Sequence, residues 1–129
     1  MSLLTIIPTP IDDESPLCVV ATAKLNEAVK NNDLIIVEEH KVARRRWLKY
    51  GLPRQAIDHF LVYNEHTYND VSSEVLAELK KGKSAFLMSD CGLPAFCDPG
   101  RQLIELCHQH NIKVTSTPFA NSISLIPTA

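Results

Sequence analysis

The 129-residue sequence is most informative first for what it lacks. No apolar run approaches the roughly 20 residues that a membrane-spanning helix needs. The apolar start, Ser2 to Ile7, is too short for a secretory signal and has no basic segment before it. Four cysteines, Cys18, Cys91, Cys97 and Cys107, form no CxxC pair and no Cys/His cluster with zinc spacing. Reduced thiols and a cytoplasmic location are therefore expected, with no disulfide framework. His108 and His110 fall at the end of a helical pattern, where cationic side chains suit the helix dipole, so no metal site is expected there. Glycine is scarce, and its four copies never form GxGxxG, which excludes a dinucleotide fingerprint. Gly82-Lys83-Ser84 is not a phosphate loop, because Ala77 stands where the motif needs glycine and the segment joins helix to strand. A formal net charge of -2 gives no global attraction to nucleic acid, so any such binding must use a local patch. There is no internal repeat and no low-complexity tract.

What is present is an alternation of short apolar runs and amphipathic stretches. Leu3 to Ile7, Asp33 to Val37, His59 to Tyr63, Ser84 to Met88 and Lys113 to Ser116 read as strands. Between them, Val20, Leu25, Ala28 and Val29 mark the buried face of one helix. Ala43, Trp47 and Tyr50 mark that of a second, Val71, Val75, Leu76 and Leu79 of a third, and Leu103, Ile104 and Cys107 of a fourth. This alternation predicts right-handed crossovers and an α/β fold of three αβα layers, a five-stranded parallel sheet with helices on both faces. A single domain spanning 1–129 is the prior from length. Ile123, Leu125 and Ile126 open an apolar pattern that Ala129 leaves unfinished, as expected for part of a larger protein.

Function should gather at the carboxyl edge of such a sheet, where ligands of open α/β folds bind. Residues 89–100, Ser-Asp-Cys-Gly-Leu-Pro-Ala-Phe-Cys-Asp-Pro-Gly, follow the most strand-like run and precede a helical one. Gly92 permits positive φ and close approach of a ligand to the backbone. Asp98-Pro99 reads as N-cap followed by N1 of the next helix. Asp12, Asp13, Glu38, Glu39, Glu65, Asp90 and Asp98 all fall in loops or strand ends assigned to that edge. A basic cluster, Lys41, Arg44, Arg45, Arg46, Lys49 and Arg54, supplies six of the 13 Lys and Arg residues and could contact phosphates, or could be a solvated helix face.

Pro8-Thr-Pro-Ile11, Asp33-Leu-Ile-Ile-Val-Glu-Glu39, Tyr63-Asn-Glu-His66, Leu79-Lys-Lys-Gly82, Ser89-Asp-Cys-Gly-Leu-Pro94 and Asp98-Pro-Gly100 occur in one order and spacing. In these motifs the chain resembles the tetrapyrrole methylase family, and most nearly its ribosomal small-subunit RNA cytidine 2'-O-methyltransferase branch, from about Leu3 to Leu125. The resemblance implies the amino-terminal domain of a two-domain enzyme that uses S-adenosyl-L-methionine, with the cofactor between the domains and a homodimer when full length. It implies cofactor contacts from Ser89, Asp90, Cys91, Gly92, Leu93, Pro94 and Asp98, and from a second loop, Pro118, Phe119, Ala120 and Asn121. Pro8, Thr9, Pro10, Ile11 and Asp12, with Lys41, Arg44, Arg45 and His66, would face the substrate. Glu38 and Glu39 are the candidates for a general base toward a ribose hydroxyl.

The sequence departs from the family pattern in several places. Asp12 stands in place of Gly in the first loop, and His40-Lys41 in place of Thr-Arg. Leu93 stands in place of Thr, and Phe119-Ala120 where the second loop carries Gly. The alternatives are a corrin or porphyrin methylase and a degenerate cofactor- or RNA-binding module without catalysis. The isolated domain is expected to be a poor catalyst, because half of the cleft lies outside it.

Overall fold

A computed structural model describes residues 2–9, 15–64, 67–88 and 98–117. Five strands form one sheet: β1 (Leu3–Ile7), β2 (Leu34–Val37), β3 (Leu61–Val62), β4 (Ala85–Met88) and β5 (Lys113–Ser116). Four helices separate them: α1 (Val19–Asn31), α2 (His40–Lys49), α3 (Tyr68–Lys80) and α4 (Asp98–Gln109), with a 3-10 helix at Arg54–His59. The strand order is β3-β2-β4-β1-β5 and every pairing is parallel. The α/β architecture expected from the sequence is the one found.

The order explains the layers. From β1 the chain moves past β4 to β2 and on to β3, then reverses, returning to β4 and passing β1 to reach β5. Right-handed crossovers must carry the connections made before the reversal over one face and those made after it over the other. The buried side chains follow that division. On the first face α1, α2 and the 3-10 helix, through Leu25, Trp47 and Ile57, pack on Ile7, Ile35, Val37, Phe86 and Met88. On the second, α3 and α4, through Val75, Leu79, Leu103 and Cys107, pack on Leu4, Ile36, Ala85 and Leu87. Alternate residues of β2 and β4 thus serve opposite layers, which is why both strands read as unbroken apolar runs.

Several expectations need correction. Val20 is not part of the buried face of α1; it is 45% exposed, because Ala21, Leu25 and Ala28 form the inward stripe. The third strand is two residues long rather than His59 to Tyr63. Arg54–His59 winds into a 3-10 helix before it, with Pro53 as its N-cap. Arg46 does not belong to a surface cluster: it is only 4% exposed, and its Nη1 donates to the Tyr50 hydroxyl at 3.2 Å. Helix α4 begins at Asp98 itself, one residue earlier than an N-cap role for Asp98 requires. Each of the four helices is followed by a left-handed residue: Asn32 after α1 at φ 57°, Gly51 after α2 at φ 74°, Gly82 after α3 at φ 100° and Asn111 after α4 at φ 60°.

Candidate active site at the carboxyl edge

The register fixes what lies side by side at the carboxyl edge. Ile7 pairs with Met88, Met88 with Val37, and Val37 with Val62, while Ile6 pairs with Ser116. The next residues along each strand, Pro8, Glu38, Tyr63 and Thr117, therefore share one rim. Strand β4 lies between β1 and β2, so Pro8-Thr9 and Glu38-Glu39 flank the point where the chain leaves Met88. Two strand spacings put the two pairs about 10 Å apart. The chain leaves β1 and β2 toward the first face and β4 toward the second, so outgoing connections diverge on both sides of β4. Divergence of neighbouring connections opens the crevice in which α/β sheets bind ligands.

Within this rim the positions are unequal. Thr9 is buried, Glu38 is half-buried, and Glu39 is exposed. Glu39 takes extended backbone as the N-cap of α2, and its carboxylate makes no capping bond. Lys41, Arg44 and Arg45 are exposed on the first two turns of α2. The structure thus brings the candidate base positions, Pro8-Thr9 of the candidate substrate segment and the first cations of α2 to one rim. Pro10, Ile11, Asp12, His66, Ser89, Asp90, Cys91, Gly92, Leu93, Pro94, Pro118, Phe119, Ala120 and Asn121 lie outside the described residues. Asp98 is described only as the first residue of α4.

Sequence reasoning overlooked the side chains that hold this rim in shape. Asn64 Nδ2 donates to the Glu38 carbonyl at 3.1 Å, tying the exit of β3 to that of β2. Thr67 Oγ1 donates to the Val62 carbonyl at 2.7 Å and accepts from the Asn64 N–H at 3.1 Å. The Asn-x-x-Thr spacing was the available signal, since a threonine hydroxyl three residues on can close such a turn. The His40 ring bonds through Nε2 to the Ile57 carbonyl at 3.1 Å and lies 5.8 Å from the Phe60 ring. An imidazole nitrogen facing a carbonyl must carry the proton, so Nε2–H is the donor. Thr117 closes the other side of the rim. Its N–H donates to the Ile6 carbonyl at 3.0 Å, and its Oγ1 is buried without a partner among the described residues. A buried hydroxyl costs stability unless something bonds to it.

The two clearly displaced titrations lie elsewhere. Asp33, at the amino end of β2, has its carboxyl raised by burial, against the Ser84 N–H and the Lys83 charge. Burial pushes the Cys107 thiol, inside the second layer, up to about 11. Neither touches the carboxyl edge. A groove of about 410 Å³ runs between α3 and α4, lined by Ser72, Leu76, Gln102 and Glu105 among others. It holds no strand-end residue and is separate from the rim.

No family model matches the chain. It is nonetheless similar over most of its length to proteins named ribosomal RNA small subunit methyltransferase I. The Thermotoga maritima protein is 30% identical over 124 residues, 96% of this chain and 52% of that protein. The Leptospira biflexa protein is 27% identical over the same share of this chain and 48% of its own length. A Buchnera aphidicola relative, from the subspecies Schizaphis graminum, reaches 34% over 90% of this chain and 38% of its own. The chain spans about half the length of the curated relatives it matches. No helix among the described residues is long and apolar enough to cross a membrane. The resemblance carried by the motifs is thereby borne out: over most of its length the chain is similar to proteins named ribosomal RNA small subunit methyltransferase I.

Proposed function

We propose that this chain supplies the cofactor-contributing half of an S-adenosylmethionine-dependent methyltransferase that acts on ribosomal RNA in the cytoplasm. The observation that carries this reading is the rim itself. The exits of β1, β4 and β2 lie side by side where outgoing connections diverge, with carboxylates on one flank and, on the other, a buried Thr117 hydroxyl that has no partner among the described residues. Relatives named for ribosomal RNA favour that acceptor over a corrin or porphyrin.

The described residues suit such a cofactor. Thr117 Oγ1 offers a neutral hydroxyl group beside β1, and Glu38 and Glu39 offer negative charge beside β2, where a sulfonium cation is tolerated. The motif residues Ser89 to Pro94, Asp98 and Pro118 to Asn121 would complete the pocket. When bound, the cofactor supplies an electrophilic methyl group on positively charged sulfur. The protein's part is to align a ribose hydroxyl with that methyl and to exclude water. A carboxylate at position 38 or 39 would accept the proton that the ribose hydroxyl gives up on methylation. Pro8 to Asp12 and His66 would bound the acceptor nucleotide, and a homodimer would be the working assembly of the full-length protein.

Transfer of labelled methyl from S-adenosylmethionine to small-subunit rRNA tests the proposal, with wild type beside Glu38→Gln and Glu39→Gln. Wild-type turnover that falls roughly 10²–10⁴-fold in one of the two variants supports it, since that is the usual worth of a positioned base. No transfer by the full-length protein would overturn the enzyme reading.

A further inference from the structure

Helix α2 carries five cationic side chains and no carboxylate between His40 and Lys49. At about 100° per residue, Ala43, Arg46 and Trp47 occupy one side of the helix, and these are its buried residues. Lys41, Arg44, Arg45 and Lys49 fall within an arc of about 140° on the opposite side, and all four are exposed. The stripe from Lys41 to Lys49 is about 12 Å long, at 1.5 Å per residue. Its first member lies two residues past the exposed Glu39 at the rim. The arrangement is held firmly: Trp47 Nε1 donates to the Pro53 carbonyl at 2.6 Å, and its ring meets Phe60 edge-on at 5.1 Å. No other described helix has this bias. Helix α3, for comparison, carries Asp70, Glu74 and Glu78 against Lys80.

We propose that the outer face of α2, formed by Lys41, Arg44, Arg45 and Lys49, is the surface on which the RNA substrate's phosphate backbone docks. The inference rests on the RNA reading above and goes beyond it by naming the surface and its polarity. A polyanion gains nothing from a chain with net charge -2 unless it finds a concentrated patch, and this helix is that patch. Glu38 and Glu39, at the end of the stripe nearest the rim, repel phosphate. The backbone is therefore held along the helix while a ribose is left over the carboxylates. Charge complementarity along the stripe, rather than base contacts, predicts binding with little sequence preference and strong salt dependence.

The test measures binding of a fluorescent single-stranded RNA to the full-length protein over a salt series. Wild type is compared with Lys41→Gln/Arg44→Gln/Arg45→Gln/Lys49→Gln. A charge-matched control, Lys30→Gln/Lys80→Gln/Lys81→Gln/Lys113→Gln, neutralises exposed lysines at the opposite edge of the sheet. Loss of four phosphate contacts should flatten the slope of log K against log salt by about 3 and weaken binding on the order of a hundredfold near 0.1 M salt. The control should match wild type within about twofold. Equal losses in both variants, or none in the α2 variant, would overturn the proposal. Circular dichroism of both variants guards against unfolding, and the single variants Arg44→Gln and Arg45→Gln, each expected to flatten the slope by about 0.7, provide a second readout. Labelled methyl transfer measured in parallel separates the two readings. RNA binding that depends on α2 without methyl transfer sinks only the enzyme reading. Transfer unaffected by the four substitutions sinks only the docking surface.

Discussion

The two layers that cover this sheet are built differently. The layer of α1, α2 and the 3-10 helix has an aromatic centre, Trp47 against Phe60, with the indole bonded to Pro53 and His40 bonded to Ile57. The layer of α3 and α4 is aliphatic around one polar pair, Ser72 Oγ donating to the Tyr63 hydroxyl at 2.9 Å, and one buried thiol. In the first layer, buried rings and fixed hydrogen bonds position a short helix. Its outward residues can then be almost wholly cationic. In the second, the outer helix faces carry mixed charge. A short helix tolerates like charges at i,i+4 spacing only when tertiary packing outweighs their repulsion.

The contrast is sharpest at its centre. Trp47→Ala should cost about 3–5 kcal/mol in denaturant unfolding, because it removes a fully buried ring and leaves the Pro53 carbonyl without its donor. A cost below that of an aliphatic truncation such as Leu103→Ala would erase the distinction between the layers. Next in size, Tyr63→Phe should cost about 1–3 kcal/mol by orphaning the buried Ser72 hydroxyl. Adding Ser72→Ala should recover part of that loss, and simple additivity of the two would contradict the pairing.

The thiol of Cys107 gives a pH signature confined to the second layer. Its ionisation is raised from 9.0 to about 11, so the folded state prefers the neutral form. Its contribution is complete below pH 9.0 and is lost as pH rises from there through about 11. Cys107→Ala should flatten stability over that window, and an unchanged alkaline slope would assign the loss to other groups. The smallest effect belongs to Asp33. Burial raises its carboxyl, so its contribution is present below the unfolded value of 3.8 and lost as pH rises through the folded one. Asp33→Asn keeps an acceptor for the Ser84 N–H, 3.4 Å away, and should leave neutral-pH stability unchanged or higher by a few tenths of a kcal/mol.

The strands were the most legible part of the sequence. Leu3–Ile7 and Lys113–Ser116 match residue for residue, because each is a short run bounded by polar or turn residues. The motif order also led to the proteins that the chain resembles over most of its length. What escaped was decided by tertiary geometry. Val20 and Ala21 are both apolar, and only the position of the sheet determines which of them faces inward. Arg46 looks like its neighbours Arg44 and Arg45 until helical phase turns it toward Tyr50. The third strand reads too long because Phe60 and Tyr63, on either side of Leu61–Val62, are buried apolar residues, and burial alone does not separate strand from its flanks. At the rim, the placement of Glu38 and Glu39 beside the exit of β4 follows from strand order, which no local pattern encodes.

The most direct test of the account is calorimetric titration of the full-length protein with S-adenosylmethionine and S-adenosylhomocysteine, repeated with Gly92→Val in the loop that follows β4. The account predicts binding in the micromolar range by the wild type and its loss in the variant. Wild-type protein that binds neither compound, or a variant that binds as wild type does, would contradict a cofactor site at the carboxyl edge.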